Sequence, residues 1–279
     1  MFESIGRSIE LVKTSFAILM DEKQLLVFPV LSGIVTILVV LTFILPLFVA
    51  GSIFGGSIAG LVYLFLFYVA SYFVVIFFNT ALISCVNDKL NGRSVSVTGG
   101  LSNSVRHLPG IIGWAIVAAT VGLILNLLEE RAGFIGDIIL AFIGGVWSLV
   151  TYFVVPVLIL EDKGVIDSFK ESVSLIRKTW GESIVGSAGM AVVFVIIGII
   201  AAVLVFATLF LGSPEIFIAA LALFLLLIVL LAVIYSAMQG IFITALYTYA
   251  KTGTVPGAFS NDQIANAFVR KQGPSHGNI

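Results

Sequence analysis

Between Lys23 and Asp88 the chain carries no charged side chain: all 64 positions from 24 to 87 are uncharged, and most are Leu, Ile, Val or Phe. Such a stretch folds in hydrocarbon, not in water. A helical crossing takes about 20 apolar residues, so the run holds two crossings, divided at the glycine-rich stretch Gly51, Gly55, Gly56 and Gly60. Further charge-free runs cover positions 108–128, 138–160, 183–214 and 216–250. The spacing predicts an all-α, polytopic membrane helix bundle with six transmembrane helices, near 25–50, 57–86, 108–128, 138–160, 183–212 and 217–250. The last exceeds a perpendicular crossing and is expected to tilt or to extend past the bilayer. Charged residues make up 10% of the chain, against roughly 25% in an ordinary soluble domain. Residues 1–279 read as a single integral membrane domain, with 260–279 as a polar cytoplasmic tail.

Lys and Arg collect on the cytoplasmic side of membrane proteins. Thirteen of the fourteen here fall on one side of the predicted spans, and Arg131 alone falls on the other, beside Glu129, Glu130 and Asp137. Both termini are therefore expected to be cytoplasmic. The first span follows 24 largely polar or amphipathic residues, unlike the short basic start of a cleaved signal peptide, and reads as a retained helix. Eleven acidic residues share the basic side, so no polybasic patch exists. Lys89, Lys163, Arg177, Lys178 and Lys251 are the expected contacts to lipid headgroups, by snorkelling at helix ends. Membrane lipids are the expected partners; nucleic acid is not.

A three-part unit recurs: a cytoplasmic amphipathic interfacial helix, an outward span and an inward span. Each inward span ends in Lys and Gly, at Lys89 with Gly92, Lys163 with Gly164, and Lys251 with Gly253. Glycine there supplies a left-handed cap. Val97, Thr98, Gly99, Gly100, Leu101, Ser102 and Asn103 align with Val255, Pro256, Gly257, Ala258, Phe259, Ser260 and Asn261, and residues 165–171 fit between them. Residues 2–7 align more loosely, and a serine follows at Ser8, Ser104 and Ser172. In the copy at 166–180, Ile166, Phe169, Val173, Ile176 and Trp180 predict the apolar face, and Ser168 with Glu171 predicts a capping box. The N-terminal copy predicts a face of Ile5, Ile9, Val12 and Phe16.

With its six spans and amphipathic helices, the run Glu161, Asp162, Lys163, Gly164, Val165, Ile166, Asp167, Ser168, Phe169, Lys170, Glu171 and Ser172 resembles a loose prokaryotic superfamily of six-span proteins of unknown function. Related domains form the membrane portion of some glycerophosphodiester phosphodiesterases. The resemblance implies a pseudo-repeated architecture and a prokaryotic cytoplasmic membrane. It carries no catalytic residues, and no soluble hydrolase domain is expected here.

No ionisable residue falls at mid-membrane depth, which disfavours a proton-coupled pump. Enzyme signatures, metal-ligand spacing and cofactor motifs are lacking, so no catalytic, metal or cofactor site is assigned. Cys85 reads as a packing residue, and His107 beside Arg106 as interfacial. Pro29 and Pro156 are expected to kink their spans. The uncharged polar residues Asn79, Ser148, Thr151, Ser236 and Gln239, with Trp147 and Thr244, fall within spans and should face protein or water. They either bond between helices or line a pore. Two functions remain open: a non-enzymatic membrane-organising or lipid-interacting protein, and a passive, homo-oligomeric channel or transporter for a small solute or ion.

Overall fold

Hydrocarbon offers no water to an unpaired N–H or C=O, so a crossing segment must satisfy its backbone internally. In the computed structural model the described residues are 2–50, 57–178, 182–211, 213–256 and 259, and they form ten α-helices and no strand. They are α1 (Phe2–Asp21), α2 (Val27–Ala50), α3 (Ile58–Leu90), α4 (Val97–Arg106), α5 (Leu108–Glu129), α6 (Phe134–Val150), α7 (Val154–Leu160), α8 (Val165–Lys178), α9 (Glu182–Ala207) and α10 (Pro214–Thr252). A 3₁₀ turn at Lys23–Leu26 joins α1 to α2, and another at Thr208–Leu211 follows α9. Six segments are long and apolar enough to cross a membrane: Lys23–Pro46, Ile58–Leu90, Leu108–Glu129, Ile135–Leu160, Met190–Phe210 and Pro214–Thr252. They lie within a few residues of the expected spans, except that the fifth begins at Met190, seven residues after its expected start. Serines begin several helices. Ser57, Ser96 and Ser213 each accept a bond from a first-turn N–H, which satisfies a donor that the helix cannot.

Two of the three expected glycine caps form. Gly92 and Gly253 take φ of +71° and +69°, where a Cβ would be strained. After α7 the left-handed residue is Asp162, at φ +53°, and not Gly164. The fourth span is broken between α6 and α7, three residues before Pro156. Pro29 instead sits in the first turn of α2, where a missing N–H costs little, and Pro46 is the proline inside that helix.

The chain forms two compact units, one of residues 27–177 and one of residues 1–26 with 178–279. In the first, α3 packs on α2, α4, α5 and α7, and α5 packs on α6. In the second, α1 packs on both α9 and α10, which pack on each other. Each short helix thus lies on a hairpin that does not follow it in sequence. α4 lies on the α3 end of the first hairpin, and α1 on the last. The tail at 260–279, Trp180 and most of the copy at 255–261 lie outside the described residues; Phe259 is described and buried.

Candidate functional site

The short helices meet the spans through small residues. α4 presents Gly100 and Ser104, one turn apart and both buried. A Cβ on Gly100 would lie 2.6 Å from Cys85 Sγ and 2.8 Å from the Ala81 carbonyl oxygen, so only glycine permits this approach. Ser104 Oγ donates to the Phe77 carbonyl (3.0 Å), Asn103 Nδ2 donates to Ser84 Oγ (3.0 Å), and Cys85 Sγ donates to the Ser96 carbonyl (3.2 Å). Together these bonds tie α4 to the last four turns of α3.

α8 uses the same device on a different problem. The fourth span breaks between α6 and α7, and Ser172 bonds to the main chain at the break. Its Oγ donates to the Val150 carbonyl (2.7 Å) and accepts from the Phe153 N–H (3.1 Å), with Ser172 and Phe153 both fully buried. Val154 N–H closes a tight turn onto the Thr151 carbonyl. Alongside, Trp114, Trp147 and Phe169 form an aromatic trio with centroids 5.9, 6.0 and 6.5 Å apart. Val165 and Phe169 pack on a core that includes Ile111, Val154 and Leu158. At the α7–α8 corner, His107 Nε2 is 3.2 Å from the Asp162 carboxylate, and its Nδ1 is 2.8 Å from the Asn103 carbonyl. His107 therefore links three elements and is more than an interfacial residue.

The expected face of α8 holds in part: Ile176 is buried, Phe169 packs on the core and Val173 is half-buried, but Ile166 is 69% exposed and Ser168, Ser172 and Leu175 are buried as well. Close approach to a broken backbone requires small side chains with hydroxyls, and this widens the buried face toward the serines. Ser168 does not form a capping box: it lies inside α8 and its Oγ donates to the Lys163 carbonyl. α1 departs likewise at one edge. Leu11, Ser15, Ile18 and Leu19 are buried, Val12 is half-buried and Phe16 is exposed, while the side chains of Ile5 and Ile9 lie outside the described residues.

The expected polar residues do not gather. Asn79 and Thr151 are half-buried, and Ser148 and Ser236 are exposed. Thr151 and Thr244 donate to carbonyls of their own helices, Trp147 and Gly240. Gln239 Nε2 donates to the Tyr235 hydroxyl (2.7 Å), and its Oε1 is buried without a partner among the described residues. Of the expected headgroup contacts, Lys163 instead reaches Glu161 (2.7 Å) and Glu171 (3.4 Å). Arg177 and Lys251 are exposed and Lys89 is half-buried; the side chain of Lys178 lies outside the described residues. The hydroxyls of Ser104 and Ser172, the pairing of His107 with Asp162, and the aromatic trio were not assigned from sequence. The signal for the serines was present in the recurrence of a serine among the repeated copies.

A family model matches residues 58–257. The chain belongs to DUF6159, a family of unknown function. The DUF6159 match runs from the start of α3 through α10 and so contains five of the six spans, with both α4 and α8. The match shows no link between DUF6159 and glycerophosphodiester phosphodiesterases. Among curated proteins, none matches the chain. It is a multi-pass membrane protein by its six apolar helices.

Proposed function

We propose that this DUF6159 member is a non-enzymatic protein that binds and organises membrane lipid through α1, α4 and α8. The observation that carries this is the outward side of the three short helices. Each buries a seam of small residues or leucines and exposes an apolar side chain with a cation: Phe16 with Lys13, Val105 with Arg106, and Ile166 with Lys170. A helix of this kind rests in the headgroup layer, with its apolar atoms among the upper acyl carbons and its cations at phosphate. In this reading the three amphipathic helices and both termini lie at the cytoplasmic face of a prokaryotic membrane. The passive, oligomeric channel is favoured less, because Thr151 and Thr244 turn their hydroxyls to their own helices.

The test uses the full chain and the triple variant Lys13→Glu, Arg106→Glu, Lys170→Glu. Each surface cation contributes about 1 kcal/mol toward anionic lipid, so retention of phosphatidylglycerol through purification should fall at least roughly tenfold in the variant. Liposomes holding the wild-type protein should release no small solute. Unchanged lipid retention, or a solute flux that Gln239→Leu abolishes, overturns the proposal in favour of the channel.

A further inference from the structure

The end of α3 remote from α4 carries a cavity of about 540 Å³, within the size range of small-molecule sites. It lies within the unit formed by residues 27–177, between the first turns of α3 and the last turn of α5. Leu61 and Leu64 wall it from α3, and Leu127 and Leu128 from α5. Its polar lining includes Glu130 and Arg131, one charge of each sign. Both residues are exposed at its rim, and their main chain is held by Glu130 N–H to the Asn126 carbonyl (3.1 Å) and Arg131 N–H to the Leu128 carbonyl (3.2 Å). Among the described residues Arg131 has no ion pair, and it is the one basic residue on its side of the spans by sequence. Leu61 and Leu128 are themselves exposed, so the apolar wall continues onto the outer surface of the spans.

We propose that this cavity binds a zwitterionic phospholipid with a primary amine, its phosphate on Arg131, its ammonium on Glu130 and its acyl chains along the four leucines. The charge balance selects the ligand class. A purely anionic headgroup would set its phosphate beside Glu130 with nothing to answer that carboxylate, and a neutral lipid would leave both charges unpaired. A quaternary amine has no N–H to donate to a carboxylate, so the ethanolamine type fits better than the choline type. This site shares no residue with the outward faces of α1, α4 and α8, and it stands or falls apart from the function proposed for them.

Native mass spectrometry of the full-length protein in mild detergent tests it, with titrations of palmitoyl-oleoyl phosphatidylethanolamine, the choline and glycerol analogues, and sodium phosphate. A charge-assisted hydrogen bond in such a site sets a preference of roughly tenfold. The ethanolamine lipid should therefore bind roughly tenfold tighter than the choline lipid. Arg131→Gln should weaken it by a similar factor, and Glu130→Gln should erase the ethanolamine preference, each with an unchanged melting temperature. The triple variant of the short helices should still bind it. Equal binding of all three lipids overturns the proposal. So does tighter binding of the glycerol lipid that depends on Arg131 and not on Glu130, which marks an anionic-lipid site. Displacement of the lipid by millimolar phosphate also overturns it, by showing a site for the anion alone.

Discussion

Three buried serines offer a graded test of how the short helices are held. Ser172 makes two bonds to main-chain atoms at the break in the fourth span, at 2.7 and 3.1 Å. Ser172→Ala removes both bonds from buried main-chain atoms, each worth about 1–3 kcal/mol when its loss is not made good; a loss of roughly 3 kcal/mol is expected. Ser104 donates at 3.0 Å to a carbonyl inside a continuous helix, which keeps its own helical partner, so Ser104→Ala should cost about 0.6 kcal/mol, the average for such bonds between membrane helices. Ser15 Oγ is fully buried and has no hydrogen-bond partner among the described residues. Ser15→Ala removes an unsatisfied hydroxyl and should be neutral or stabilising. Unfolding in mixed detergents, followed by circular dichroism, gives the ranking, and amide exchange of the Phe153 N–H reports the Ser172 bond directly. If Ser15→Ala proves the most damaging of the three, or if Phe153 exchanges no faster in Ser172→Ala, hydroxyls are not what seats these helices.

Three further outcomes are expected. Gly100→Ala should push α4 off α3, costing roughly 1–3 kcal/mol by overpacking and speeding modification of the buried Cys85 thiol, whereas Gly33→Ala, with open space around it, should leave thiol reactivity unchanged; equal reactivity in both would show that α4 does not depend on that contact. Phe169→Asp should disrupt the trio with Trp114 and Trp147 and lower the melting temperature markedly, while Lys170→Asp, at a side chain 72% exposed, should do little; equal effects would show that α8 is not seated by Phe169. In a Cys85→Ser background, Glu130→Cys and Lys170→Cys should react with an impermeant thiol reagent from opposite faces of the membrane, and labelling of both from outside intact cells would refute the expected orientation.

The spans were legible because hydrophobicity over 20 residues depends on nothing beyond the chain itself. Apart from the start of the fifth, their boundaries came within a few residues, and the caps at Gly92 and Gly253 followed from a glycine after a lysine. The break in the fourth span was legible only as a kink at Pro156, since a kink and a broken helix differ in whether another element bonds to the main chain there. That element is Ser172, 22 residues beyond Val150. The edges of the α1 and α8 faces, at Phe16 and Ile166, were misplaced for a related reason. Hydrophobic periodicity finds the bulkiest stripe, which suits a helix packed by hydrophobicity in water. Where the surroundings are lipid, a bulky stripe gains little from facing protein, and close approach through small residues decides the contact. Ile166 is free to face outward, and Ser168 and Ser172 go in.

The buried serines also reset the internal repeat. In sequence the N-terminal copy was aligned through Ser8, but the buried serine described in α1 is Ser15, seven residues later. Setting Ser15 over Ser172 brings Ile9, Glu10, Val12 and Lys13 over Ile166, Asp167, Phe169 and Lys170, a closer match than the first register allowed. Burial agrees with it: Ile18 and Leu19 fall over Leu175 and Ile176, all four buried, and Lys13 over Lys170, both exposed. The copies differ where the facing span differs. Lys89 lies 12 residues after Phe77, whose carbonyl accepts from Ser104, and Lys163 lies 13 after Val150, whose carbonyl accepts from Ser172. Twelve residues before Lys251 stands Gln239, whose buried amide oxygen, like the Ser15 hydroxyl of the same unit, has no hydrogen-bond partner among the described residues. Two copies of the unit close their seam with a hydroxyl-to-backbone bond, whereas the third turns the Gln239 amide nitrogen to the Tyr235 hydroxyl of its own helix. Buried hydroxyls without a partner among the described residues also occur at Ser71 and Thr80 of α3, so the seam of α1 on α10 is set apart by lacking the serine-to-backbone bond and not by being alone in carrying unsatisfied polar atoms.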